Sequence, residues 1–133
     1  MKKVEWIERC LFTSPICIGL CLSEEAFKKE LKRLKVPVED WPEWICAGSH
    51  ATTHFFEKFD SFDSCCIVCV KHRKGRVIAQ IVGLLTHEAM HVWRDIKRDI
   101  GEKEPSSEFE AYAMQNIVQQ LFYSYMKQKG KKP

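Results

Sequence analysis

Apolar and polar positions alternate most clearly in the C-terminal half of the chain. From about Val82 to Ile100, a step of about 100° per residue gathers Leu85, Ala89, Val92, Trp93, Ile96 and Ile100 on one stripe, which predicts an amphipathic helix with a single packing face. His87 and His91 point roughly the opposite way, alongside Arg94 and Arg98. Gly101, Pro105 and the serines Ser106 and Ser107 interrupt the pattern. A second helix is predicted over roughly Ser107 to Lys127, with Ala113, Met114, Ile117, Val118, Leu121 and Tyr125 as its apolar stripe. Upstream, Cys65 to Lys71 and Arg76 to Val82 are two β-rich runs joined by His72-Arg73-Lys74-Gly75, which predicts a hairpin against which the histidine-bearing helix packs. Ser23 to Leu34 starts on a capping serine, with acidic residues in its first turn and basic ones later. It reads as a scaffold helix with Ala26, Phe27, Leu31 and Leu34 as its apolar face. The expectation is one α+β domain over residues 1–133, with residues 1–60 the least patterned.

The polar face of the first of those two C-terminal helices carries the candidate chemistry. His87-Glu88-Ala89-Met90-His91 sets two imidazoles one helical turn apart on the same face, so both can reach one ion, with Glu88 beside them to accept a proton from an activated water. Catalytic zinc usually has three protein ligands, and eighteen residues separate His91 from a third candidate, Glu110. Glu110 falls in the apolar stripe of the second helix, where a carboxylate needs a partner, whereas Glu108 lies with Gln115 and Gln119 on the polar side. A competing role for Glu110 is a capping box, Ser107-x-x-Glu110. If Ser106 is the cap instead, Glu110 is free of that duty.

These residues resemble the gluzincins, zinc peptidases with H-E-x-x-H on one helix and a glutamate ligand on the next. The stretch Leu84 to Trp93, followed by Ser107-Glu108-Phe109-Glu110-Ala111-Tyr112, also resembles small phage and prophage proteins taken to be metallopeptidases. The resemblance covers roughly Cys65 to Tyr125. It implies a zincin-like domain in which one Zn2+ per chain is held by His87, His91 and Glu110, with Glu88 as general base, acting on a peptide or protein substrate. It further implies an edge strand near the metal that pairs with an extended substrate, and the host cytoplasm as location if the gene is a phage's. The chain departs from thermolysin-like enzymes at Met114, where an aspartate would orient the first histidine.

Composition narrows the setting. The sequence is 45% hydrophobic with net charge +3, much of it in the tail Lys127, Lys129, Lys131 and Lys132, and reads as an ordinary soluble domain. A tail of this kind is usually a solvated, frayed end rather than a nucleic-acid contact. Nothing approaches the length of a membrane span, and the start Met1-Lys2-Lys3-Val4-Glu5-Trp6 lacks the form of a signal peptide. Seven cysteines without a secretion signal point to reduced thiols in a cytoplasm. Cys66 and Cys69 fall in an apolar strand-like run and read as core residues facing opposite sides. His50 and His54 share the four-residue spacing, but Thr52, Thr53, Phe55 and Phe56 favour a strand there. Trp41 and Trp44 either line a cleft or pack over the core, and packing is the commoner outcome. Tyr112, Tyr125, His50 and His54 have the chemistry of an oxyanion partner, and the sequence does not choose among them. Two other classes stay open: a binding or structural protein that holds zinc as a staple, and a regulatory protease with a single protein target.

Overall fold

The computed structural model describes residues 3–7, 14–57 and 63–131, so Met1, Lys2, Cys10, Lys132 and Pro133 lie outside the described residues. The fold is α+β. Strands β1 (Glu5–Ile7), β2 (Cys17–Cys21), β3 (Ala51–Phe56) and β4 (Cys65–Val70) form a four-stranded sheet in the order β1-β2-β4-β3. The β2–β4 pair is parallel and the two outer pairs are antiparallel. Helix α1 (Glu24–Arg33) covers one face; helices α2 (Ile78–Asp99) and α3 (Ser107–Gln128) cover the other.

The two faces of β4 explain this layering. All six of its residues are buried, as expected of a central strand covered on both sides. Cys66, Val68 and Val70 pack toward α2 and α3 with Leu85, Ala89, Val92, Trp93 and Leu121. Cys65, Ile67 and Cys69 pack toward α1 with Phe27 and Leu31. Cys66 and Cys69 thus face opposite sides, and burial pushes the thiols of both upward, which suits inert core residues. Trp41 and Trp44 pack against the α1 side, and Trp41 Nε1 donates to the Val36 carbonyl at 2.9 Å. On α1, Ser23 accepts from the Ala26 N–H at 3.2 Å and caps the helix as expected.

The expected hairpin between Cys65–Lys71 and Arg76–Val82 does not form. β4 already has β2 on one side and β3 on the other, so no edge is left for a third partner. The β-branched residues Val77, Ile78, Ile81 and Val82 instead belong to the start of α2. There Gln80 Oε1 accepts from the Val77 N–H at 2.9 Å, and the buried Ile81 extends the stripe of Leu85 and Ala89 back by one turn. Helical packing outweighs the weak β-propensity of the run. Gly101, at φ +75, closes the end of α2 in a conformation glycine adopts without steric cost. Among the described residues, no helix is long and apolar enough to cross a membrane.

Candidate metal centre

α2 divides its residues as the wheel predicts. Leu85, Ala89, Val92, Trp93 and Ile96 are buried, while His87 and His91 are exposed on the other side. Their Nε2 atoms lie 3.3 Å apart, with ring centroids separated by 5.1 Å. A tetrahedral ion about 2.0–2.1 Å from each nitrogen would hold two ligand nitrogens about 3.3–3.4 Å apart, so the pair has the bite of a zinc chelate. The same span is long for a hydrogen bond, whose usual range is about 2.7–3.2 Å.

Glu88 behaves differently from the histidines it sits between. It turns toward the sheet, is 4% exposed, and its Oε2 accepts from Thr53 Oγ1 of β3 at 2.5 Å. That length is typical of a hydroxyl donating to a carboxylate. β3 is the outermost strand beside α2, and among the described residues no backbone hydrogen bond reaches its outer edge. The carboxylate is therefore anchored to the edge strand of the sheet.

Glu110 is placed by α3. The helix is capped by Ser106, whose hydroxyl accepts from the Phe109 N–H at 3.3 Å, so the Ser107 capping box does not occur. Glu110 Oε2 accepts from the buried Trp93 Nε1 at 2.8 Å and from Lys97 Nζ at 3.3 Å. The Trp93 hydrogen bond first, and Lys97 second, hold its carboxyl below the usual carboxylate range. The structure thus sets Glu110 against the turn that follows His91 and does not bring it to the histidine pair. Among the described residues, no three His, Cys, Asp or Glu side chains are grouped as metal ligands. Glu108 is exposed. Asp95 is paired with Arg98 rather than with a histidine.

His54 of β3 and His50 just before it are committed elsewhere. His54 Nε2 donates to the Trp44 carbonyl at 3.0 Å and its ring lies 4.9 Å from that of Phe27; burial lowers its pKa, against a smaller opposing effect of that hydrogen bond. Arg76 Nη2 approaches His50 Nδ1 at 3.4 Å. Among the tyrosines, Tyr112 is 56% exposed and Tyr125 lies beneath Lys129. No local signal pointed to Thr53, because it meets Glu88 across thirty-five positions of sequence. Lys97 could have been suspected, since it lies one turn beyond Trp93 on the wheel, but its use depends on how α3 crosses α2.

No family model, curated protein or solved structure matches this chain.

Proposed function

We propose that the protein is a zinc-dependent peptidase whose chemistry is centred on His87, Glu88 and His91. The observation that carries this reading is the combination of an exposed histidine pair with chelating separation and a buried carboxylate between them, anchored by Thr53 at 2.5 Å. Zinc bound there would lower the pKa of a water toward neutrality and polarise the scissile carbonyl. His87 and His91 supply two imidazole ligands from consecutive turns of α2. Glu110 is the proposed third; a carboxyl kept ionised by Trp93 and Lys97 is in its ligating form, and binding would exchange those two hydrogen bonds for the ion. Glu88 takes the proton of the attacking water and delivers it to the leaving amine. Thr53 orients the carboxylate and excludes rotamers that would turn it away. The free edge of β3 offers main-chain partners to an extended peptide lying alongside the histidines.

A second reading, a zinc-holding binding or structural protein without peptidase activity, draws on one observation. Glu110 already clasps α3 to α2 through Trp93 and Lys97. The deciding experiment loads the purified chain with zinc and screens it against a diverse peptide library by mass spectrometry, with the Glu88→Gln variant alongside. Cleavage that disappears in the variant while zinc content is unchanged supports the peptidase; equal cleavage in both refutes the proposed base.

A further inference from the structure

One cavity next to the histidine pair has a chemistry of its own. It measures about 440 Å³ and lies between His50, just before β3, Arg73 and Arg76 of the loop preceding α2, and Gln80, Gly83 and Leu84 of α2. Gly83 and Leu84 precede His87 by four and three residues, so the cavity opens on the histidine face one turn away. None of its lining residues is acidic. Among the described residues, neither Arg73 nor Arg76 pairs with a carboxylate. Arg76 is held in place because its Nη1 donates to the Lys71 carbonyl at 2.5 Å and its Nη2 faces His50, which leaves other guanidinium donors for a ligand. A second cavity, which shares Arg73 and Arg76, adds Lys71, Lys129 and Lys131 and again no acidic residue.

Gly83 leaves one wall of this cavity open. A glycine inside a helix is less favourable than alanine, because it has more backbone freedom to lose. Here a Cβ would meet nothing within 4 Å, so packing within the protein does not require the missing side chain. The notch opens into the cavity, where close approach of another backbone or side chain would use it.

We propose that this cavity is a substrate subsite for an acidic side chain, so that the preferred substrates are peptides with Glu or Asp a short distance from the cleaved bond. The proposal rests on the peptidase reading for the position of that bond. A peptide added along the free edge of β3 passes from His50 toward Thr53 and Glu88, with the cavity on its α2 side, and a carboxylate there would meet the Arg73 and Arg76 guanidinium groups in the planar, forked geometry that favours Arg.

The test uses two decapeptide libraries identical except that one fixes Glu and the other Gln at a scanned position. Binding is measured by fluorescence anisotropy on the zinc-loaded Glu88→Gln chain, and cleavage on the wild-type chain. The expected result is a preference for Glu of about tenfold or more at one position. Arg73→Gln, at an exposed site, should remove it. Gly83→Leu should weaken both libraries while leaving zinc content unchanged and raising the melting temperature, the opposite of what a damaged fold does. No binding of either library, equal binding of both, or a Glu preference that survives both variants would overturn the subsite. So would tighter binding of an oligothymidine that these variants abolish, which would make the surface a nucleic-acid contact. Glu-selective binding lost in the variants, with no cleavage by the wild type, would keep the subsite and sink the peptidase; cleavage indifferent to Glu would do the reverse.

Discussion

Glu88→Gln and Thr53→Val should move stability and activity in different directions, and the contact between the two residues sets the scale. Glu88 is 4% exposed and accepts from Thr53 Oγ1 at 2.5 Å. Valine in place of Thr53 keeps the shape but removes the donor, leaving a buried carboxylate without that partner. A hydrogen bond to a charged group is worth about 1.5–3 kcal/mol, so Thr53→Val should lose about that much. At about 3–5 °C per kcal/mol for a domain of this size, the melting temperature should fall by about 5–15 °C. Glutamine at position 88 retains an oxygen for Thr53 and removes a buried charge, whose desolvation opposes folding. Glu88→Gln should therefore stay within about 1 kcal/mol of the parent, or exceed it, while cleavage falls by about two orders of magnitude or more. The double variant should recover most of the stability lost in Thr53→Val, because the unpaired charge is gone. Thermal unfolding followed by circular dichroism, together with chromatographic assay of peptide cleavage, gives both readouts on the same preparations. If Glu88→Gln melted as early as Thr53→Val while cleaving normally, Glu88 would be a structural strut and the assignment of the base would be wrong.

The purified chain should bind about one zinc per molecule, measured by elemental analysis, and His91→Ala should lose that metal together with the stabilisation that comes from binding only the folded state; absence of zinc after reconstitution would count against the site. Glu110→Ala should reduce zinc retention far more than Glu108→Ala, as measured by competition with a chelator; equal losses would leave Glu110 only its clasp on Trp93 and Lys97. His54, whose pKa burial lowers from the ordinary value of 6.5, is held neutral in the fold. Its contribution to stability is thus present above that value, declines as pH falls below it, and is gone once pH has passed the lowered folded value. Denaturant midpoints measured across that window should show a slope that His54→Gln flattens, and an unchanged slope would mean that another group governs it.

Periodicity alone was enough to find the two C-terminal helices, though not the first turn of α2, because an amphipathic stripe is a local property that recurs every turn whatever the helix packs against. It placed His87 and His91 on the exposed face and Leu85, Ala89, Val92 and Trp93 in the core. The sequence left the cap of α3 open between Ser106 and Ser107, and the fold puts it at Ser106. Strand partners were not legible in the same way. The run from Arg76 to Val82 has the composition of a strand, yet whether it pairs depends on β2 and β3, which come from distant parts of the chain and occupy both sides of β4. For the same reason only the folded chain could bring Thr53 to Glu88, set Trp93 and Lys97 on Glu110, and close the cavity between His50, Arg76 and Gly83. Each of those contacts joins elements whose separation along the chain carries no periodic signal, and each exists because burying the two apolar faces of one sheet fixes which helix lies over which strand.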